Sequence, residues 1–275
     1  MRIVYYALGG GLGHLVRARA FLHTLGLSRD AVVITASDAA HDRRVVGNLE
    51  IVFAPKSLEQ DAAVFRAWLL RELDRFRPDC LCVDAFPAGI LGELCDLPPL
   101  ACELWHVARL LRWDVYSALI AGTAPHFRRV FRVEPLLPAH RAWLDAHAVD
   151  SEDFELIDPP CEENVGAPDE AYWLVVHSGP TNEVAELIAY ADEIRSAESA
   201  DVALWIASAA APGKLPARTR VLDVHPAVPY FREAQRLFSA AGFNVMRQAR
   251  DYRHKHMIMP MPRRFDAQFE RVKAR

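Results

Sequence analysis

The chain has 275 residues, 52% of them hydrophobic, which suits one large or two moderate globular domains with a buried core. Its formal net charge of −4 argues against a protein that mainly neutralises nucleic-acid phosphate, so no nucleic-acid partner is expected. Five cysteines without CxxC spacing, and no apolar run of the roughly 18 residues that span a membrane, predict a cytoplasmic protein with reduced thiols. Peripheral contact with the inner face of the membrane stays open.

The chain opens with an apolar run, Ile3 to Leu8, followed by GGGLGH at residues 9–14 and by helical spacing from Leu15 to Leu25. This pattern predicts a strand, a glycine turn and a helix, and the N–H groups of such a turn favour a phosphate. The motif lacks the Lys-Ser/Thr ending of a P-loop, and His14 stands where the dinucleotide fingerprint has its third glycine. His14, at a helix start beside a ligand, is a candidate base near neutral pH.

Alternating strands and helices continue through this half and predict a parallel doubly wound sheet. The predicted strands are residues 31–37, 49–55, 79–86 and the segment LPPLACELWH, and the predicted helices are residues 58–76 and 89–95. Asp84, Glu103 and His106 are expected at strand carboxyl ends, which topology brings beside the glycine loop. Alternatively, Asp84 caps a turn, and Glu103 and His106 are ordinary polar groups at a strand end.

A less regular stretch, residues 107–157, contains the basic segment RLLRW, a predicted strand RRVFRV and a predicted helix HRAWLDAHA. Its arginines are expected on a solvated basic face; an anionic acceptor or lipid headgroups are the alternative. The Pro-rich, acidic stretch from Asp158 to Glu170 has no apolar period and predicts a boundary. The expected domains are therefore residues 1–158 and 159–275.

The second half repeats the strand, turn and helix pattern. The predicted strands are residues 171–177, 201–208, 219–226, 235–241 and 256–262, and the predicted helices are residues 180–195, 228–235, 244–250 and 265–275. His254 and His256 alternate on one of these strands, but no nearby Cys or acid completes a metal set, so they are expected as solvated edge residues. Two α/β units separated by a ligand cleft are expected.

Four stretches together resemble the MurG-like branch of two-Rossmann-domain glycosyltransferases, the GT-B type. They are GGGLGH, PDCLCVDAFPAGILGEL, AAGFNVMRQ and MPRRFDAQ, in that order, and they reach both halves of the chain. The resemblance implies an α/β fold of two Rossmann-like domains facing each other across a cleft, with a short C-terminal domain. It also implies an inverting transfer of a hexose or N-acetylhexosamine from a nucleotide-diphosphate sugar, a UDP-sugar first, without a tightly held metal or other cofactor. The acceptor would be a hydroxyl of a glycan, a lipid-linked molecule or a small molecule, and homo- or hetero-oligomers stay open.

The resemblance also implies roles for individual residues. His14 would be the catalytic base, with Gly11 and Gly13 on the acceptor and phosphate side. Asp84, Glu103 and His106 are placed on that side by sheet topology alone. Donor binding would fall to Ser178, Gly179, Gly242, Phe243, Asn244, Gln248, Asp266 and Gln268. The glycine turns would offer main-chain N–H groups to the diphosphate, and Asp266 and Gln268 would bond sugar hydroxyls.

Two departures from the family pattern keep other functions open. Gln248 stands where the family commonly has a ribose-binding Glu, and a neutral amide accepts a hydrogen bond less strongly than a carboxylate. The chain also stops directly after the last motif helix, whereas family members usually continue. These departures motivate one alternative, a non-catalytic sugar-nucleotide-binding or partner subunit. A sugar-nucleotide epimerase on the same fold is the other alternative.

Overall fold

A computed structural model describes residues 1–58, 61–161 and 170–274. The polypeptide forms two compact units. The first unit is Met1–Pro159 together with Arg264–Ala267, and the second unit is Pro160–Arg263 together with Gln268–Arg275.

The first unit is built on a seven-stranded sheet in the order β3-β2-β1-β4-β5-β6-β7, and every ladder between neighbouring strands is parallel. The strands are β1 Ile3–Ala7, β2 Ala31–Thr35, β3 Glu50–Phe53, β4 Cys80–Asp84, β5 Glu103–Ala108, β6 Phe127–Arg132 and β7 Ala148–Asp153. The helices are α1 Leu12–Thr24, α2 Arg43–Val46, α3 Ala62–Phe76, α4 Trp113–Tyr116 and α5 Pro138–Ala146, with short 3-10 helices at Ser28–Asp30, Asp38–His41, Lys56–Leu58 and Ser117–Leu119.

Successive residues of β1 pack against helices on opposite faces of this sheet, because side chains alternate along a strand. The ring of Tyr6 lies 6.4 Å from that of Phe65 in α3, and the ring of Tyr5 lies 5.7 Å from that of Phe21 in α1. All five residues of β1 are buried, as a central parallel strand covered on both faces must be. Strand β1 lies between β2 and β4, so the crevice beyond the carboxyl ends of β1 and β4 is where the strand order reverses.

The second unit has a five-stranded parallel sheet in the order β10-β9-β8-β11-β12. Its strands are β8 Tyr172–Val176, β9 Ala203–Ala207, β10 Thr219–Leu222, β11 Arg236–Ala240 and β12 His256–Met259. Its helices are α6 Thr181–Ala197, α7 Phe243–Gln248 and α8 Gln268–Lys273, with 3-10 helices at Val228–Tyr230 and Arg250–Lys255. Here the strand order reverses between β8 and β11, so the turns after these two strands lie at the same edge of the sheet.

The observed elements differ from the predicted ones in several places. Residues 89–95, predicted as a helix, form turns instead, because Gly89 and Gly92 have φ of +83° and +81°, values that a right-handed helix does not allow. Strand β7 was not predicted, since its sequence is acidic and lies at a sheet edge. The predicted helices over 58–76 and 265–275 begin later, at Ala62 and Gln268; residues 59, 60 and 275, and residues 162–169 of the predicted boundary, lie outside the described part of the chain.

Candidate active site

The glycine loop places His14 in the first turn of α1. Gly11 is the N-cap residue of this helix, in an extended conformation, and the main-chain N–H of His14 donates to the carbonyl oxygen of Gly11 at 3.4 Å. Gly13 is the second residue of the helix. The N-cap makes no side-chain hydrogen bond, so the glycine loop leads directly into the first turn of the helix.

Gly9 is the glycine that the imidazole requires. Its φ is +147°, and a Cβ atom built at this position would lie 2.3 Å from His14 Nε2. Neither the backbone conformation nor the space admits a side chain. Gly10, by contrast, has no heavy atom within 4 Å of such a Cβ position.

We therefore predict that Gly9→Ala lowers the free energy of unfolding by about 1–3 kcal/mol and displaces the imidazole of His14. Gly10→Ala is the matched control and is expected to stay within about 0.5 kcal/mol of the wild type. Chemical denaturation of both variants measures the difference. Equal stabilities would contradict the close approach of Gly9 to His14.

Asp84, the last residue of β4, orients the imidazole. Its Oδ2 lies 2.6 Å from His14 Nδ1 and also accepts from Arg17 Nη2 at 2.6 Å. Its Oδ1 accepts from Arg17 Nε at 2.6 Å and from the hydroxyl of Tyr5 at 2.7 Å. A carboxylate accepts and does not donate, so Nδ1 of a neutral His14 carries the proton and Nε2 holds the free lone pair.

The charge state of this cluster follows from burial and from its internal ion pair. The guanidinium of Arg17 and the hydrogen bond from His14 outweigh burial and hold the pKa of Asp84 far below its usual range, so the carboxyl group is ionised. Burial lowers the pKa of His14 below its ordinary value of 6.5, although Asp84 opposes the shift. His14 is therefore neutral at pH 7, with 12% of its side chain exposed.

Aromatic and charged side chains surround the imidazole within the first unit. The ring of Phe86 lies 5.5 Å from that of His14, and the guanidinium carbon of Arg109 lies 5.6 Å from the Phe86 ring centre. Asp266, predicted to bond a donor sugar, lies in the first unit, where its Oδ1 accepts from Arg109 Nη1 at 2.5 Å. Phe265 packs edge-on against Phe86, with ring centres 5.7 Å apart.

Glu103 and His106 are not at the carboxyl end of their strand, which corrects the sequence interpretation. Glu103 is the first residue of β5 and pairs with Cys80 at the amino end of β4, so it lies at the opposite edge of the sheet from Asp84. Its carboxylate accepts from the indole of Trp105 at 2.8 Å. The error arose because the strand continues past His106 to Ala108.

His106 is a buried histidine of the core. It pairs with Val83 in the middle of β5, and its Nδ1 donates to the carbonyl oxygen of Val83 at 2.9 Å. Its exposed fraction is 0%, and burial lowers its pKa to about 4. His106 thus stays neutral and does not reach a substrate on this geometry.

In the second unit, the turn after β8 brings a histidine, a carboxylate and an arginine together. His177 Nε2 lies 2.8 Å from Glu183 Oε2, and Arg263 donates to both carboxylate oxygens of Glu183. A Cβ at Gly179 would lie 2.3 Å from His177 Nε2, so this turn passes directly over the pair. Ser178 is exposed beside it. Burial lowers the pKa of His177, so at neutral pH this histidine donates to Glu183 as an uncharged group.

The other predicted donor residues lie around α7 and α8. Gly242 is the N-cap of α7, followed by Phe243 and Asn244 in its first turn, and Gln248 ends the helix. The side chain of Gln268 is 4% exposed, and its Oε1 accepts from the main-chain N–H of Met261 at 2.9 Å. That bond fixes the preceding segment and argues against the predicted contact of Gln268 with a sugar hydroxyl.

Two further sequence interpretations need correction. His256, expected as a solvated edge residue, is 4% exposed, and its Nε2 lies 2.8 Å from Ser239 Oγ. Arg109, assigned to a solvated basic face, is 6% exposed and ion-paired.

Among residues 1–58, 61–161 and 170–274, no group of three or more His, Cys, Asp or Glu side chains could hold a metal ion. Over the same residues, no helix is long and apolar enough to cross a membrane.

The sequence interpretation missed Arg17 and Tyr5, which complete the His14 cluster. Arg17 follows His14 by three residues, a spacing that places both side chains on one face of a helix, and this signal could have been used. Tyr5 gave no comparable signal, because a tyrosine in an apolar strand is ordinary core composition.

Comparison with known proteins identifies the fold. No family model and no curated protein matches the sequence. The solved structure of the spinosyn forosaminyltransferase SpnP is similar over 100% of this chain and 83% of its own, with 12% identity and a TM-score of 0.66. The spinosyn rhamnosyltransferase SpnG, complexed with thymidine diphosphate, is similar over 95% of this chain and 81% of its own, at 13% identity and a TM-score of 0.61. The MnaA–UDP co-structure from S. aureus is similar over 100% of this chain and 82% of its own, at 13% identity and a TM-score of 0.62.

These similarities, together with the two parallel sheets, confirm the predicted fold class. Identities of 12–13% establish the fold and nothing narrower, so the MurG-like branch stays a prediction. The chain therefore has the fold of the GT-B glycosyltransferases.

Proposed function

We propose that the chain is an inverting glycosyltransferase that moves a hexose or N-acetylhexosamine from a nucleotide-diphosphate sugar to a hydroxyl acceptor. The observation that carries this proposal is the 2.6 Å contact between His14 Nδ1 and Asp84 Oδ2. This contact favours the tautomer of His14 in which Nε2 can act as a base. His14 directly follows the glycine turn of a GT-B fold.

The chemistry follows from that tautomer. Nε2 of His14 takes the proton of the acceptor hydroxyl while the hydroxyl oxygen forms a bond to the anomeric carbon of the sugar. The bond from that carbon to the diphosphate oxygen breaks, and the nucleoside diphosphate leaves with the electron pair. Asp84 does not take up the proton; it holds the imidazole in place.

We assign donor binding to the turns at the carboxyl edge of the second sheet. The main-chain N–H groups at Ser178, Gly179 and at the start of α7 suit a diphosphate, since such groups and a helix start favour an anion. Gln248 would face the ribose hydroxyls. Support comes from similar structures that contain thymidine diphosphate or UDP. No resident metal is part of this proposal, because main-chain and side-chain donors neutralise the departing diphosphate.

A thermal-shift panel followed by a turnover assay tests the proposal. UDP-, TDP- and GDP-sugars are tested for stabilisation, which reaches about 2.7 kcal/mol at a ligand concentration of 100 Kd. The stabilising donor is then assayed for nucleoside diphosphate release with and without hydroxyl acceptors, including lipid-linked ones, in buffer with EDTA. We expect release that depends on the acceptor and resists EDTA.

The other outcomes identify the alternatives. Conversion of the nucleotide-sugar without any acceptor would indicate an epimerase. Stabilisation without turnover by any acceptor would indicate a binding or partner subunit. Absence of stabilisation by every compound in the panel would overturn the sugar-nucleotide reading.

A further inference from the structure

The carboxylate of Asp84 contacts both His14, the candidate base, and the guanidinium of Arg17, which stays positively charged. Arg17 binds both of its oxygens at 2.6 Å in a bidentate ion pair, and the two side chains are 3% and 0% exposed. Arg17 Nη2 also lies 3.3 Å from His14 Nδ1. The carboxylate that orients His14 is therefore neutralised, at contact distance, by a guanidinium that does not lose its proton.

Tyr5 and Arg109 are the next groups near the imidazole, and neither adds a net negative charge. The hydroxyl of Tyr5 is uncharged, since burial and Asp84 raise its pKa well above the ordinary value. Arg109, which follows β5, faces the imidazole as a further cation and is itself paired with Asp266. The charges therefore cancel within each of the two ion pairs, Asp84 with Arg17 and Asp266 with Arg109.

Glu134, which follows β6, is the other charged group near this cluster. It interacts with Arg17, and its Oε1 accepts from the main-chain N–H of Leu110 at 2.8 Å. Glu134 therefore adds its negative charge on the Arg17 side of the cluster.

We propose that Arg17 is a positioning residue that balances the charge of Asp84, so that Asp84 orients His14 without making it a stronger base. In a pair of histidine and aspartate alone, the carboxylate both orients the ring and stabilises its protonated form. Here the bidentate guanidinium separates these two effects. The base stays unprotonated at neutral pH, with Nε2 available for an acceptor proton. This inference rests on the proposed role of His14, but the charge balance itself can be measured in the protein without substrate.

The charge balance predicts shifts of opposite sign in two variants. Arg17→Met leaves the Asp84 charge uncompensated beside His14, so the pKa of His14 should rise above that of the wild type. Asp84→Asn leaves the Arg17 charge uncompensated, so the pKa of His14 should fall below that of the wild type. If the two substitutions only loosened the packing, the imidazole of His14 would become more exposed in both variants. Its pKa would then move toward 6.5 in both.

The measurement is an NMR titration of the ¹⁵N-labelled imidazole of His14 in the full chain without substrate. The ¹⁵N shifts also report the tautomer, which should be Nδ1–H in the wild type. Arg19→Met is the matched control: Arg19 lies on the same helix, but its guanidinium donates to the main-chain carbonyl oxygens of Arg44 and Val45. Arg19→Met should leave the pKa of His14 unchanged.

Wild-type protein alone can overturn the inference: a His14 pKa above 6.5, or a proton on Nε2, would do so. Shifts of the same sign in Arg17→Met and Asp84→Asn would also overturn it. If Arg17→Met does not fold, Arg17→Lys replaces it; this variant keeps the charge and should hold the pKa of His14 below 6.5, whereas a rise above 6.5 contradicts the charge balance.

Activity separates this inference from the proposed function. If turnover is found, its acid limb should move to higher pH in Arg17→Met, together with the titration. If no turnover is found with any donor while the titrations behave as stated, the proposed function fails and the role of Arg17 stands.

Discussion

His14→Ala is expected to lower the turnover number for sugar transfer by about 10²–10⁴-fold, the contribution of a well-placed general base. The variant removes the imidazole whose Nε2 lies against Gly9 of the glycine turn, and it leaves the donor turns of the second unit intact. Donor affinity, measured by thermal shift, should therefore change little while turnover falls.

His23→Ala is the matched control for this substitution. His23 lies on the same helix α1 and is half-buried, but it is remote in the helix from the glycine loop. Its turnover should resemble that of the wild type. Retained turnover in His14→Ala would remove His14 from the chemistry, and a parallel loss in His23→Ala would point to a general effect on α1.

The second large effect expected is a loss of stability in mild acid, caused by two buried histidines. His106 and His140 are both 0% exposed, and burial lowers their pKa values to about 4 and about 3. Within the described residues, His106 Nε2 and both ring nitrogens of His140 have no hydrogen-bond partner, so protonation in the folded state gains no contact. His140 instead stacks on Trp113, with ring centres 4.2 Å apart.

The sign follows from proton binding in the two states. In the unfolded chain these histidines titrate near 6.5, whereas in the folded chain they stay neutral down to about 4 and about 3. Below pH 6.5 the unfolded state therefore binds more protons, and stability falls as the pH falls. Between pH 8 and pH 5 each histidine should lower the free energy of unfolding by about 2 kcal/mol, about 4 kcal/mol together.

Chemical denaturation across pH 5–8 measures this loss. His140→Phe keeps the stack on Trp113 and removes its titration, so it should recover about half of the loss at pH 5. His126→Gln, at an exposed histidine of the same unit, is the control and should leave the pH dependence unchanged. An equally steep dependence in His140→Phe would contradict the contribution of His140 to the acid limb.

The sequence predicted the parts of this protein that depend on local pattern. The parallel sheets follow from apolar runs separated by helical periods, and His14 follows from its place at the end of a glycine turn. The sequence leaves two interpretations of Asp84, a turn cap and a group that faces an acceptor, because one carboxylate at a strand end does not reveal its partners. The structure supplies those partners, Tyr5 from one strand and Arg17 from the next helix.

The parts that failed depend on exact strand ends and on contacts distant in sequence. Glu103 was assigned to the wrong end of β5 because apolar composition does not mark the first paired residue. Arg109 was assigned to solvent because its burial depends on Asp266, which lies 157 positions away in the chain. The predicted helix at 89–95 failed because Glu93, bonded to the hydroxyl of Tyr6 at 2.7 Å, holds a tight loop in place of a helix.

The late segment Arg264–Ala267 also constrains how the protein is made. It completes the first unit, where Phe265 fills an aromatic cluster and Asp266 neutralises Arg109. At about 5–20 residues per second, a ribosome needs roughly 5–20 s to proceed from Pro159 to Arg264. During that interval the nascent first unit exposes Phe86 and Tyr116 to water and leaves Arg109 without its carboxylate. Its folding is therefore completed only after Ala267 has been synthesised, and a fragment that ends at residue 159 would stay in this unfinished state.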